Sequence, residues 1–531
     1  MKKSLLIIIF LLISASPVWA ADYYAGPPSC APGSDCIAGS GNTCTAANPG
    51  TTRGCLLKLA AGDTLYLYDG HYTGTSYMVY LYFAGGEGGP MANGTRGNPI
   101  TIKAKNDGEV DIDGQGARRP VFLQNNDWNV IEGINAHSSN TSVVGLTNSD
   151  HNVFKRVIAW DASPTANYHV FDSGQGSNNT TYEDCAGWGT GRKIFAQYMN
   201  GSDDGTPAQI CRRCFAMWTY STREDPKFAY TTGYNTNGDV LFENVIGTWD
   251  ELDGANQYQD QGPLGTDDNV GTVSILGSIF YKLQSQNGAS HYLMSLKYEC
   301  ANAYVLENVL AYTDSTDTSC VYPSECQGNT RIQTLECGGS RVSGSYLTII
   351  GGGETWADDP NPPKDIAGSI LSVLNNSGTL NYDIVENSHA YGVNNGNAFD
   401  YMAFYDNDGG NWESNAPAHY TTTDPDIVGK CGNLIQYDCA DPNRPQVNNH
   451  PVGAKIQYRY VDGSLTGQAL WPWPMNDRIK EALLDSGYDT KGLDGRGNTD
   501  LTDVIFKLSG GTNPFIGETR PQAPSGLRIV P

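Results

Sequence analysis

Basic residues open several strand-like runs in the middle of this 531-residue sequence. Aligning the runs places these residues in one column, which contains His169, Arg192, Lys193, Lys227, His291 and Arg331. Stacked β-strands lie about 4.8 Å apart, so the column predicts a basic stripe that can hold the carboxylates or sulfates of an extended polymer. The alternative is a set of solvated charges, each paired with a nearby acid.

Three residues on neighbouring runs could perform proton-transfer chemistry. Removal of an acidic proton from a uronic acid needs a base, a cation to neutralise the carboxylate, and an acid for the leaving oxygen. Lys297, His291 and Arg331 supply these groups, and we predict them as candidate catalytic residues of a polysaccharide lyase. Ordinary surface residues are the alternative.

A cluster of acidic residues follows in a predicted long loop between repeats. Calcium prefers carboxylate and carbonyl oxygens, so a calcium ion is the cofactor that this cluster predicts. The alternative is an exposed acidic loop in an acidic protein. The predicted ligands are Asp250, Glu251, Asp253, Asp267 and Asp268.

Aromatic residues end many of the strand-like runs, at Trp160, Trp188, Trp218, Trp249 and Tyr312. If their rings are exposed, they would form a platform for sugar rings, and we count the four tryptophans as candidate substrate-binding residues. If they are buried at a corner, they would form a stack that holds the repeats in register.

These residues belong to a chain that repeats itself roughly every 23 to 31 residues. Compare Asn129–His137, Asn152–Trp160 and Val240–Trp249, each a short strand-like run with small or apolar alternate positions. Short strands, Asn and Gly turns and no helical spacing indicate a β-solenoid. We predict an all-β fold, a right-handed parallel β-helix, in which like residues stack on like residues.

Composition narrows the class of partner. With 33 basic and 57 acidic residues the formal net charge is −24, which disfavours nucleic acids and anionic membranes as general partners. The sequence begins with two lysines, an apolar run and a small-x-small site at Val18–Ala20, a pattern typical of a secretory signal. We therefore expect secretion to the extracellular space, the periplasm or the cell surface, with no membrane insertion.

The 13 cysteines fit an oxidising compartment. Four close pairs are candidates for loop-stapling bridges: Cys30/Cys36, Cys44/Cys55, Cys320/Cys326 and Cys431/Cys439. On the repeat alignment Cys185 falls within one position of Cys214, which favours a bridge from Cys185 to Cys214 or Cys211.

The domain boundaries follow from these patterns. We expect an amphipathic helix over residues 475–488, capped by Asn476 or Asp477 and closed near Gly487, and a second helix from Thr499 to Leu508. The predicted segments are a signal peptide (1–20), a disulfide-rich N-terminal cap with the first coil (21–100), a parallel β-helix (101–410), a loop-rich and helical C-terminal region (411–515) and a tail (516–531).

Residues 60–74 and 98–114 resemble the first coil of the chondroitinase B and alginate lyase family of polysaccharide lyases. That resemblance implies a secreted parallel β-helix. In this family a Lys base, an Arg and a calcium held by Asn and Glu do the chemistry. The nearest counterpart of the Lys is Lys297 in Ser295–Glu299, where the flanking residues differ from the family motif.

Two classes of function remain open at this point. The first is an extracellular protein that acts on or binds an acidic polysaccharide, as a lyase or hydrolase if it is an enzyme. The second is a non-catalytic surface or matrix β-solenoid with a structural or adhesive role.

Overall fold

A computed structural model describes residues 20–30, 36–82, 91–174, 176–198, 209–218, 228–236, 238–249, 262–269 and 271–282. Between residues 291 and 451 it describes the strands bounded below, mostly as backbone. It then describes residues 458–469, 473–490 and parts of 492–503.

Three parallel sheets wind around one core, and the described coils from Thr64 to Gln333 each contribute one strand to each sheet. Sheet A has 13 described strands: Asp22–Ala25, Thr64–Leu67, Ile100–Ala104, Asn129–Glu132, Val153–Lys155, Thr180–Glu183, Gln209–Arg212, Val240–Glu243, Val273–Leu276, Tyr304–Glu307, Arg341–Ser343, Asp365–Ala367 and Ile384–Glu386. Sheet B has 14: Gly70–Thr73, Val110–Asp113, Ile134–His137, Ile158–Trp160, Ala186–Trp188, Phe215–Trp218, Ile246–Trp249, Ile279–Lys282, Leu310–Asp314, Tyr346–Ile350, Ile370–Leu374, His389–Tyr391, Met402–Tyr405 and Tyr420–Thr421. Sheet C has nine: Val79–Tyr82, Val121–Gln124, Val144–Thr147, His169–Ser173, Lys193–Gln197, Phe228–Thr236, Gly262–Asn269, His291–Leu296 and Thr330–Gln333. This is the right-handed parallel β-helix that the repeat predicts.

Short strands outside the solenoid sheets form three two-stranded pairs. One pair is parallel, Gly378–Leu380 with Val393–Asn395. The other two are antiparallel, Gln446–Val447 with His450–Pro451 and Tyr458–Val461 with Ser464–Ala469.

The corner between sheets A and B is a single residue in the left-handed conformation on coil after coil. Gly133, Arg156, Asp184, Arg213, Asn244 and Gly277 occupy this corner, with φ between 50° and 78°. Glycine and asparagine adopt this conformation at little cost, which explains why Asn and Gly mark the repeat in the sequence. Because one residue is enough to turn the chain from sheet A to sheet B, no helix forms at this corner.

Inward side chains stack in columns along the solenoid. The rings of Phe171 and Phe195 are stacked 4.3 Å apart, and Tyr230 continues the column 5.1 Å beyond Phe195. Tyr182 of sheet A packs edge-on against Phe171 and Phe195. Aromatic pairs in such geometries add to the burial of apolar area and fix the register of adjacent coils.

The N-terminal cap contains helix α1, Thr52–Leu56, and a 3₁₀ turn at Thr75–Tyr77. Disulfides Cys30–Cys36 and Cys44–Cys55 are present, as the close spacing predicts. Cys320, Cys326, Cys431 and Cys439 lie outside the described residues.

The expected bridge from Cys185 is wrong. Cys185, Cys211 and Cys214 are free thiols buried in the core. The register does place Cys185 beside Cys214, because the next residues, Ala186 and Phe215, are paired. Two of the thiols instead donate to backbone carbonyls, Cys185 to Phe154 at 3.4 Å and Cys214 to Tyr182 at 3.3 Å, while the Cys211 sulfur accepts from Gln197 Nε2 at 3.0 Å.

The C-terminal region folds back over the solenoid. Helix α2, Asn476–Ser486, closes at Gly487 in the left-handed conformation (φ 75°), which confirms the predicted helix and its end. Its N-cap is Met475 rather than Asn476 or Asp477. The Asn476 side chain is occupied elsewhere, since its Oδ1 accepts a hydrogen bond from the Thr502 backbone N–H.

Of the second predicted helix, Thr499 to Leu508, the structure describes residues 499–503, of which 501–503 are helical and 499–500 are not. Among the residues that the structure describes, no helix is long and apolar enough to cross a membrane.

Candidate active site on the outer face of sheet C

Asp172 is the carboxylate at the centre of the candidate site. It lies in the strand His169–Ser173, where Phe171 points into the core and Asp172 therefore points outward. Its partners in register on the adjacent coils are Gly145 and Ala196. These neighbours carry no side chain larger than a methyl group, and the Phe122 ring lies over Gly145.

The environment of Asp172 changes its acidity. The Ser142 hydroxyl donates a hydrogen bond to Asp172 Oδ2 at 2.8 Å, and the same hydroxyl accepts one from the His169 backbone N–H. Burial raises the pKa of Asp172 to about 6, although the Ser142 hydrogen bond and the charges of Lys193 and Arg119 partly lower it. A carboxyl group with this pKa is divided between its acid and base forms near pH 6.

Two cations flank this carboxyl, and each rests on an aromatic ring. The Lys193 ammonium lies 4.5 Å from the centre of the Tyr198 ring. The Arg119 guanidinium lies 4.3 Å from the centre of the Phe122 ring. Aromatic faces attract cations and hold these long side chains in place, so positive charge is fixed on both sides of Asp172.

The cations and Ser142 occupy equivalent positions on successive coils. Arg119, Ser142, His169 and Lys193 each precede by two residues an inward residue of their strand, and these inward residues are paired in register. Strand spacing therefore predicts a row about 15 Å long across four coils. Ser142, His169 and Lys193 are buried, at 6%, 1% and 5% exposure, whereas Arg119 and Asp172 are partly exposed. Solvent therefore reaches this row at Arg119 and at the Asp172 carboxyl.

Two residues of the predicted basic stripe are adjacent in register at this place. His169 and Lys193 are paired directly, and both are buried, at 1% and 5% exposure. Arg192 is half-buried and donates to Asn167 Oδ1 at 2.9 Å, so it lies beside the row. Lys227 lies outside the described residues.

Two of the three predicted catalytic residues, His291 and Arg331, belong to the same sheet. His291 begins the strand His291–Leu296 and pairs with Thr330, while Arg331 pairs with Tyr292. The two residues are therefore one register position apart on adjacent coils, three and four strands from Lys193. The side chains of both, and Lys297 as a whole, lie outside what the structure describes.

The tryptophans do not form the single column expected from the sequence. Trp160 pairs with Trp188, and Trp218 pairs with Trp249, but the second pair is one residue further along its strands. The register of Trp188 continues instead through Met217, Thr248 and Tyr281 to Tyr312.

Trp160 and Trp188 offer no ring face to a sugar. Their rings are parallel with centres 6.1 Å apart, and they are 5% and 0% exposed. The Trp188 Nε1–H donates to Ser486 Oγ of helix α2 at 3.1 Å. The two tryptophans are therefore buried and stacked, which was the second alternative for the aromatic residues. They are buried on the outer face of the coil, beneath helix α2, and not in the solenoid core. The side chains of Trp218, Trp249 and Tyr312 lie beyond the description.

The acidic cluster is placed differently from the expected loop. Asp267 and Asp268 lie within the strand Gly262–Asn269 of sheet C, where Asp267 pairs with Gly233. The loop assignment of these two residues is wrong because they lie in a strand that pairs with Phe228–Thr236. Asp250, Glu251 and Asp253 lie outside the described residues, so the calcium site stays a prediction.

Sequence reasoning missed Asp172, Ser142 and Arg119. Asp172 is a lone acid in the run His169–Ser173, and lone acids are common in an acidic chain. The available signal was register: aligning Val143-Val144-Gly145-Leu146 with Val170-Phe171-Asp172-Ser173 places the acid opposite glycine.

Comparisons with known proteins find distant structural relatives. No protein-family model matches the chain, and no curated protein matches it. Similar solved structures include the pectate lyase Pel9A, with 12% identity over 86% of this chain and 90% of that one at a TM-score of 0.42.

Two other similar structures are an alginate lyase from Paenibacillus sp. str. FPU-7 and the PL6 family polysaccharide lyase Pedsa3628 from Pseudopedobacter saltans. The first has 12% identity, 76% and 99% coverage and a TM-score of 0.33. The second has 11% identity over 78% of this chain and 96% of that one, at a TM-score of 0.34. Values this low say nothing of activity. On its strand pairing, the chain is a right-handed parallel β-helix protein.

Proposed function

We propose that this is an extracellular carbohydrate-active protein that holds an acidic polysaccharide along the outer face of sheet C. The observation that carries the proposal is Asp172, a carboxyl with a pKa near 6 between two cations and beside small neighbours. A uronic acid polymer presents one carboxylate per residue, and the partly exposed Arg119 can pair with such a charge, while the buried Lys193 adds positive potential beneath it.

In this proposal Asp172 is the proton-transferring group. General acid–base catalysis is most effective when the pKa lies near the working pH, and a pKa of about 6 meets that condition in mildly acidic surroundings. Neutralisation of the substrate carboxylate by the partly exposed Arg119 would make the adjacent C5 proton more acidic, as a lyase requires. A hydrolase would use the same carboxyl to protonate the leaving oxygen.

The row continues along sheet C towards the strands that carry His291 and Arg331, with Lys297 next in the chain. We propose these residues as part of the same binding face, and the predicted calcium cluster as its metal site. Both assignments rest on the sequence patterns and on the shared sheet.

The second candidate is a non-catalytic glycan-binding or matrix solenoid. The burial of Trp160 and Trp188 favours it, because these rings serve the fold and not a sugar. The placement of Asp172 beside Lys193 and Arg119 would then be an acid paired with the basic row.

The deciding experiment uses secreted protein with alginate, chondroitin, pectate and neutral dextran, with calcium and with chelator. Unsaturated uronate absorbance detects a lyase, and new reducing ends alone detect a hydrolase. Asp172→Asn tests the site, and Asp485→Asn, an exposed acid on helix α2, is the matched control.

Product from an acidic polymer that is lost in Asp172→Asn and retained in Asp485→Asn supports the enzyme. Product that survives Asp172→Asn moves the chemistry to another site, with Lys297→Ala as the next variant. Salt-sensitive retention without product supports the binding protein. Neither product nor retention on any acidic polymer contradicts the carbohydrate proposal.

A further inference from the structure

Four titratable residues meet on the outer face of sheet B, on the first coils of the solenoid. His71, Asp111 with Asp113, and His137 lie on the consecutive strands Gly70–Thr73, Val110–Asp113 and Ile134–His137. His71 pairs in register with Asp111, and Asp113 pairs with His137. Parallel strands bring side chains of one face together at every coil, so residues 66 positions apart become neighbours.

Asp111 lies between the two imidazole rings. Its Oδ2 is 2.6 Å from His71 Nδ1, and its Oδ1 is 3.0 Å from His137 Nε2. The Asp113 carboxylate is 3.6 Å from the second nitrogen of each ring. One donor atom from each of His71, Asp111 and His137 can be chosen so that all three lie within 4.8 Å of one another.

The polar atoms of this group are not fully satisfied among themselves. Asp111 Oδ1 is buried and accepts no well-aligned hydrogen bond, despite the short distance to His137 Nε2. Buried polar oxygens without a hydrogen bond are uncommon, and an unfilled ligand site is one explanation for such an atom.

We infer that His71, Asp111 and His137 bind a divalent transition-metal ion, with Asp113 as a fourth ligand or as a partner of the rings. Two imidazoles and carboxylate oxygens form a donor set that suits zinc. The His71 side chain is 55% exposed, so the ion would reach the site from solvent and keep one open position.

The surroundings of His137 already fix its ring. It stacks on Trp160 with ring centres 4.5 Å apart and planes within 6°. Its Nδ1 lies 2.9 Å from the Ser138 hydroxyl, so an Nδ1–H donated there leaves the Nε2 lone pair for a metal. Such an outer hydrogen bond is a regular feature of histidine ligands. The bound ion would fasten three successive coils, a role separate from the sheet C site.

The test is zinc titration of chelator-treated, full-length protein by calorimetry, in wild type and in His71→Gln, His137→Gln and His151→Gln. His151 is the matched control, because it also stacks on a tryptophan, Trp128, and is partly exposed. We expect one zinc per chain, an affinity at least ten-fold weaker in the first two variants, and an unchanged affinity in His151→Gln. Zinc should also raise the unfolding temperature of wild type but not of His71→Gln.

His71→Gln decides the outcome, because its exposed ring can be replaced without disturbing the stack on Trp160. Equal zinc affinity in wild type and in folded His71→Gln would overturn the site. The absence of saturable zinc binding in wild type would also overturn the site. The four residues would then serve only as ion pairs between adjacent coils.

Discussion

The outer faces of sheets B and C differ in what lies over them. On sheet B, helix α2 covers Trp160 and Trp188, and Arg478 of that helix donates to Asp107 Oδ1 at 2.8 Å and to Asn135 Oδ1 at 2.7 Å. On sheet C, Arg119 and Asp172 stay partly exposed on the described coils. Both faces follow the same strand alternation, so the cover decides which outward side chains stabilise the fold and which can meet a ligand.

The C-terminal hairpin adds to this cover at the corner between sheets A and B. Tyr460 exchanges two hydrogen bonds with the Asn244 side chain, from its N–H to Oδ1 at 3.1 Å and from Nδ2 to its carbonyl at 2.9 Å. The Gly463 N–H donates to the buried Glu243 at 2.7 Å. An outward aromatic or charged residue of a solenoid can therefore be assigned to ligand binding only after it is shown that no other segment of the chain packs over it.

The largest expected effect is on the covered face. Trp188→Ala removes a fully buried ring between the solenoid and helix α2, and such truncations cost about 4 kcal/mol of stability. The measurement is the shift in the urea unfolding midpoint. A shift no larger than that of an exposed control, Leu484→Ala on helix α2, would show that α2 does not cover this face in solution.

A smaller effect is expected at the charged contact beneath the same helix. Arg478→Ala leaves Asn135 and the Arg156 carbonyl without their donor, while Asp107 keeps its ion pair with Arg156, and we expect a loss of about 2 kcal/mol. Limited proteolysis should then cleave near α2 while the coils remain resistant. Unchanged resistance of α2 would contradict its role as a cover.

On the open face, Asp172 should make stability depend on pH. Its folded pKa of about 6 lies above the unfolded value of 3.8, so the neutral carboxyl favours folding below pH 4. This contribution decreases as the pH rises through 6, by up to about 3 kcal/mol, and it should be absent in Asp172→Asn. Unfolding midpoints of both proteins between pH 4 and 7 should therefore diverge; parallel curves would place the carboxyl in ordinary solvent.

The smallest expected change is the stability effect of Arg119→Ala, within about 0.5 kcal/mol, because its guanidinium is partly exposed. The same variant should weaken retention on an acidic polysaccharide and reduce the salt dependence of that retention. If Arg119→Ala instead lost as much stability as Arg478→Ala and kept its retention on the polysaccharide, Arg119 would be a structural residue, as Arg478 is on sheet B.

The fold was predictable because its signals are local and repeated. Corner residues such as Asn244 and Gly277 and the alternating strand runs recur on successive described coils, and the bridges Cys30–Cys36 and Cys44–Cys55 connect near neighbours. Helix α2 was also visible, since an amphipathic run that ends at glycine is a local pattern.

The site was less predictable because it depends on the register between adjacent coils and on which segment packs over each face, and neither is a local property of the sequence. A one-residue offset separates Trp218 from the column of Trp188, which the aligned sequence does not reveal. Cys185 and Cys214 were correctly expected to be neighbours, but the orientation of their thiols depends on carbonyls of other coils. Nothing in residues 476–486 indicates which sheet the helix contacts.

The contact between Asp107 and Arg478 joins residues 371 positions apart. A solenoid can grow by adding one coil to the last, so most of its structure forms from near neighbours. The cover of sheet B cannot form until the chain has been made almost to residue 490, and loop closure over that length is slow. During synthesis Trp160 and Trp188 would face water on finished coils, and a nascent chain would expose an apolar surface that the completed protein conceals.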